Sequence, residues 1–188
     1  MINRTLLKAL ESLHTSTPEA AMLLSNLFVP ISFKGGTSFP WYEQASHVLY
    51  FVECGLVRGY LYWKNEEHTC WVMEHGFLLP VNQSFTETEL EYTEFMRDST
   101  GWMLNLERAL PQMQRDPTVC RMLFEIFQRN IEMGKMRELT FKLRSRDERF
   151  RHMFDLQKQL MDKIPHVILA SLLSVTPKYL YELKKKYR

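Results

Sequence analysis

The run Ile164-Pro165-His166-Val167-Ile168-Leu169-Ala170-Ser171-Leu172-Leu173-Ser174-Val175-Thr176-Pro177-Lys178-Tyr179-Leu180-Tyr181-Glu182-Leu183-Lys184-Lys185-Lys186 is written as two short helices with one break between them. Pro165 can open a helix, because its fixed φ suits the first turn and its missing N–H would be unpaired there anyway. Ile168, Leu169 and Leu172 then fall on one helical face, and Ala170 is small where a second helix must come close. Ser174-Val175 reads as the turn, with Val175 plugging the gap. Thr176 is a good N-cap, Pro177 takes the first helical position, and Leu180 and Leu183 face inward. Lys178, Tyr179, Tyr181, Glu182 and Lys184 to Lys186 are expected to face out. The motif is a helix-turn-helix, whose second helix enters a DNA major groove by its N-terminal end.

Charge supports a polyanion at that end. Residues 1–134 hold 10 Lys+Arg against 16 Asp+Glu, whereas residues 135–188 hold 14 against 6, so a net −6 front is joined to a net +8 rear. The candidate DNA contacts are Thr176, Lys178, Tyr179, Tyr181, Glu182, Lys184, Lys185, Lys186 and Arg188. The lysines raise affinity through phosphates without reading sequence. A plain solvated tail is the alternative for Lys184 to Lys186 and Arg188.

Upstream, glycines almost vanish after Asp116-Pro117, and Thr118 to about Leu143 reads as one helix of roughly 26 residues, about 39 Å long. Stepping by four and three from Met122 gives Ile126, Arg129, Met133, Met136, Thr140 and Leu143, mostly apolar. Met122, Ile126, Met133, Met136 and Leu143 are therefore the expected dimer seam, unless this face simply lies on the preceding domain. From Ile31 to about Leu106 the texture is that of short strands: Val48–Cys54, Leu56–Trp63, His68–Met73, Tyr92–Met96 and Trp102–Leu106. Turn signals such as Lys34-Gly35-Gly36 and Asp98-Ser99-Thr100-Gly101 separate strands or flank the region. This predicts a β-sandwich or barrel. Two short helices, one carrying Leu6, Leu7, Leu10 and Leu13 and one capped at Ser16 or Thr17, precede it.

Three stretches resemble the Crp/Fnr transcription-regulator family, especially its short members that stop just after the recognition helix. Leu49 to Tyr60 is similar to the family's strand-Gly-x-Val-Arg segment. Arg146-Asp147-Glu148-Arg149-Phe150 is similar to its Glu-Arg-Tyr/Phe run, and Ile164 to Lys186 to its terminal Pro-x-x-x-Ile-Ala-Ser-x-Leu-Gly-Val/Ile-Thr-Pro run. The resemblance implies an α+β chain. Residues 1–115 would form an antiparallel jelly-roll of the cyclic-nucleotide-binding type with flanking helices, residues 116–143 a dimerising helix, and residues 144–188 a DNA-binding end. It implies a cytoplasmic homodimer that binds double-stranded DNA and regulates transcription.

Departures from the family pattern refine this. Gly76 is followed by Phe77 rather than Glu, and residues 87–98 carry Glu87, Glu89, Glu91, Glu94 and Asp98 against Arg97 alone, which repels a phosphate. A cyclic nucleotide is therefore not expected; an effector of another kind, neutral, aromatic or cationic, stays open. Tyr181 and Glu182 stand where the family commonly has Ser-Arg. A carboxylate accepts from cytosine and cannot make the usual arginine–guanine contact. The second reading is thus a degenerate member acting through protein contacts, and Glu182→Arg separates the two. Ser174 stands at the usual turn glycine.

Other features carry less. Cys54, Cys70 and Cys120 form no metal or disulfide spacing and read as small buried residues in a reducing compartment. His68, Cys70 and Glu74 share a strand face reminiscent of cupin-like metalloenzymes, but a partner histidine is missing from the strands that follow, so no metal, cofactor or enzymatic activity is expected. Arg58 either meets an anionic effector or makes a structural ion pair. Trp41, Tyr42, Tyr50, Phe51, Tyr60, Tyr62, Trp63 and Trp71 either pack the core or line a small pocket. No run is long and apolar enough for a membrane helix, and no signal peptide is apparent.

Overall fold

The computed structural model describes residues 3–40, 48–78 and 91–187; Trp41, Tyr42, Glu87, Glu89 and Arg188, named above, lie outside the described residues. The elements follow in the order α1 (Arg4–Glu11), α2 (Pro18–Ser25), β1 (Val29–Phe33), β2 (Thr37–Pro40), β3 (Val48–Cys54), β4 (Val57–Trp63), β5 (Glu66–Met73), β6 (Gly76–Leu78), β7 (Glu91–Phe95) and β8 (Ser99–Asn105). Then come α3 (Leu106–Arg115), α4 (Pro117–Lys142), α5 (Arg146–Lys163), α6 (His166–Leu172) and α7 (Pro177–Tyr187). The strands form two antiparallel sheets, ordered β1-β8-β3-β6 and β2-β7-β4-β5. The fold is the expected α+β roll with flanking helices. No described helix is long and apolar enough to cross a membrane.

β3 shows why the roll holds together. Its side chains alternate between faces, and both faces are covered, so the strand is an unbroken apolar run instead of an alternating one. Val48, Tyr50 and Val52 join Val57, Met73, Leu78 and Phe95 between the sheets. Leu49 and Phe51 point the other way, into a core built with Leu6, Leu10, Leu24 and Leu123 from the helices. Each fully buried side chain of this size contributes roughly 1.5–3 kcal/mol. Gly59 of β4 is fixed by a close approach: a Cβ there would lie 2.1 Å from the indole nitrogen of Trp71 on β5.

α3 is not anticipated by the sequence reading. Asn105 starts it by accepting the Glu107 N–H at 2.8 Å, and the helix continues through Pro111 to Arg115. α4 begins where expected, with the Asp116 carboxylate accepting the Thr118 N–H at 2.8 Å and Pro117 in the first turn.

The first part of the α4 face read as a dimer seam turns inward. Met122 and Ile126 are completely enclosed in this chain's own core beside Leu6 and Leu10, so no partner can reach them. Met133 and Met136 continue the same face, exposed to 47% and 46%, at the rim of a cleft against β5, and Leu143 caps the helix half-buried. At 100° per residue, Cys120, Phe124, Phe127, Ile131 and Gly134 lie roughly on the opposite side. Phe124 is 60% exposed and Ile131 59%.

The cysteines also differ from expectation. Cys54 and Cys120 are exposed and Cys70 is half-buried, because Cys54 ends β3 beyond a bulge and Cys120 lies on the outer side of α4.

Candidate nucleic-acid interface

The helix-turn-helix is assembled by local capping and a small core of its own. Leu169, Ala170, Leu172, Leu173, Leu180 and Leu183 are buried together with Phe150, Met161 and Ile164 of the α5 segment. The turn closes with the Val175 N–H on the Ala170 carbonyl and the Ser174 N–H on the Ser171 carbonyl, both at 3.0 Å. Ser174 adopts φ 52°, the left-handed region where glycine is usual, and half-buried Val175 plugs the space between the helices. The Thr176 hydroxyl accepts the Tyr179 N–H at 3.2 Å. His166 Nε2 donates to the Pro177 carbonyl at 2.8 Å and ties the two helix starts together.

The candidate contact residues divide into two groups. Lys178, Tyr181, Glu182 and Lys185, spaced i, i+3, i+4 and i+7, share the outer face of α7. All four are exposed, Tyr181 to 67%, and none has a hydrogen-bonding or ionic partner among the described residues. The others are engaged within the chain. Thr176 is the helix cap and Lys184 is half-buried. Tyr179, expected to face out, is half-buried with its hydroxyl donated to Asp147 Oδ1 at 2.7 Å, because its position falls on the side of α7 that packs against α5. Lys186 Nζ stands 2.6 Å from Asp147 Oδ2, and the Tyr187 hydroxyl donates to the same oxygen at 3.0 Å.

Asp147 is therefore the anchor between α5 and α7, a role the sequence reading did not assign. The Lys186 ammonium, then the Tyr179 and Tyr187 hydroxyls, hold its carboxyl down to about 2. The Asp147 carboxylate in turn pushes the Tyr179 hydroxyl and the Lys186 ammonium up. The Arg146 guanidinium sits 5.7 Å over the Tyr179 ring and that of Arg151 5.3 Å over Tyr187. These cations widen the basic surface around α7.

The unit docks on the roll through β5, an edge strand of its sheet. The Ser171 hydroxyl oxygen accepts the Thr69 N–H at 2.9 Å while donating to the Glu67 carbonyl at 3.3 Å, satisfying two backbone groups that an open edge leaves unpaired. Lys163 bonds the Glu74 carboxylate, and the Arg97 guanidinium donates to the Lys163 carbonyl at 3.0 Å. Glu74 is thus held in an ion pair, with His68 exposed and Cys70 half-buried on the same strand.

Inside the roll, Arg58 is buried and paired with Glu94 and Glu67. Burial opposes its charge, but the two carboxylates outweigh this and push its pKa up. It is a structural ion pair. Glu91 accepts from the Trp71 indole N–H.

No family model and no curated protein sequence matches the chain. Solved structures do. FixK2 from Bradyrhizobium japonicum superposes with a TM-score of 0.67 at 12% identity, over 85% of this chain and 83% of that one. A CooA variant from Carboxydothermus hydrogenoformans gives 0.65 at 12% identity, over 100% and 86%. A protein from Eubacterium rectale assigned to the Crp/Fnr family of transcriptional regulators gives 0.63 at 15% identity, over 92% and 83%. At these identities the likeness is one of fold alone. The chain has the fold of the Crp/Fnr-type regulators.

Proposed function

We propose that this chain is a cytoplasmic, homodimeric DNA-binding transcription regulator of the Crp/Fnr type that does not respond to cyclic nucleotides. The observation that carries the reading is the outer face of α7. Lys178, Tyr181, Glu182 and Lys185 are exposed side by side on a helix whose start is capped and whose inner face is fully packed. Lys178 and Lys185 serve as phosphate contacts, while Tyr181 reaches base edges or a thymine methyl and Glu182 accepts from cytosine. The net +8 of residues 135–188 supplies the electrostatic attraction.

The dimer seam of this proposal is the exposed side of α4. Cys120, Phe124, Phe127, Ile131 and Gly134 follow the four-three spacing of a coiled-coil seam, with Cys120, Phe124 and Ile131 exposed and Phe127 and Gly134 half-buried. Paired this way, two copies of α7 address half-sites separated by about one helical turn, roughly 34–36 Å. The exclusion of cyclic nucleotides is supported by Arg58, already held by two carboxylates, and by Glu91 and Glu94 in the segment where the family pattern supplies an arginine.

Glu182 favours a second reading, a family member that acts through protein contacts, because its carboxylate occupies the middle of the outer face and repels phosphates. The test is duplex binding by the full chain against salt. For the DNA reading, Lys178→Ala and Lys185→Ala each lower affinity and reduce the slope of log K against log salt by about one. Under the second reading neither change alters the slope, and Glu182→Arg creates binding that the native chain lacks.

A further inference from the structure

A cleft of about 550 Å³ lies where three parts of the chain meet: β5, the second half of α4, and the α5–α6 region. Its walls are apolar, formed by Val72, Met133, Met136, Met153, Leu172 and Leu173. The size is that of a small-molecule site, and the methionines give a wall that adapts to shape. Arg137 opens into it. The other cations and anions of the lining are accounted for, since Arg129 is paired with Glu125 and Glu132 points from an exposed position on α4. Arg137 is half-buried and, among the described residues, has neither a hydrogen-bond acceptor nor a carboxylate within 4 Å. Glu91, whose charge it feels from farther away, is occupied by the Trp71 indole N–H.

A guanidinium without a partner at an apolar wall is costly, and burial pushes the Arg137 pKa down. A planar five-donor group is suited to a carboxylate, which it can hold through two parallel hydrogen bonds. We propose that this cleft binds a small amphipathic carboxylic acid, with its carboxylate on Arg137 and its apolar body against Met133, Met136, Leu172 and Leu173. Such a ligand would touch the long helix, the edge strand and the helix-turn-helix at once. The binding test is independent of DNA.

The test uses the full chain with 8-anilinonaphthalene-1-sulfonate as a fluorescent occupant, displaced in parallel by decanoate and by decanol, which share a chain and differ in the head group. Decanoate is expected to displace the dye at about tenfold lower concentration than decanol. Arg137→Gln removes that advantage while leaving displacement by decanol unchanged, and Met136→Trp, which fills the cleft from an exposed position, weakens both. Equal displacement by the two compounds in the native chain overturns the proposal without reliance on any variant. So does a carboxylate preference that survives in Arg137→Gln, or displacement by both that is indifferent to Met136→Trp.

Discussion

The Tyr179 hydroxyl donates to Asp147 Oδ1 at 2.7 Å and so fastens α7 to the start of α5. With Lys186 and Tyr187 on the other oxygen, one carboxylate organises three groups of the last helix. Its pKa near 2 lies below the roughly 3.9 of an unfolded aspartate, so its contribution is fully present above about pH 4 and is lost as pH falls toward 2. The Tyr179 and Tyr187 ring signals in NMR spectra should therefore shift together in that acid window. Asp147→Asn should remove the window and leave those rings less ordered at neutral pH; a native-like titration in the variant would show that another group governs it.

Glu125 plays a comparable part at the other end of the molecule. Burial pushes its carboxyl up, yet the His14 and Thr15 N–H groups, the Thr15 hydroxyl and Arg129 together bring it to about 2. Glu125→Ala strands those donors at the α1–α2 turn. Urea unfolding should show a loss of about 2–4 kcal/mol with an unchanged m-value.

Ser174 holds a left-handed backbone at the turn between α6 and α7. Ser174→Gly should stabilise the chain by about 1 kcal/mol, since glycine enters that region without a Cβ clash. Thermal melts of the two proteins measure it, and a lower melting temperature for the variant would mean that the serine's own contacts matter more than the strain.

The two sides of α4 make opposite predictions about self-association. Ile131→Glu places a charge in the exposed Phe124–Ile131 stripe and should weaken dimers at least about tenfold in sedimentation equilibrium. Met133→Glu, on the cleft side, should leave the dimer constant unchanged. The reverse pattern would restore the seam through Met133 and Met136.

What the sequence discloses here is mostly what is decided locally. Pro165, Thr176, Pro177, Leu180 and Leu183 announce the helix-turn-helix because caps and helical spacing act within a few residues. The strands from Val48 to Cys54 and from His68 to Met73 are legible for the same reason. α3 is hidden in the sequence because Pro111 and the shortness of the segment mask a helix that depends on its Asn105 cap and on burial of Ala109. Both sides of α4 satisfy a four-three apolar spacing, and only the docking of α1 and α2 decides that Met122 and Ile126 go inside. Tyr179 reads as outward from sequence because its partner Asp147 lies 32 residues away, on a helix whose position no local rule supplies.

The most direct test of DNA recognition is selection by the full chain from a pool of randomised duplexes, with the affinity of the recovered sequences followed against salt. A regulator of the proposed kind recovers a sequence of two related half-sites whose centres lie about 34 Å apart, with log K falling linearly and steeply with log salt. Recovery of no preferred sequence, with weak binding that is equal for all duplexes, would contradict it.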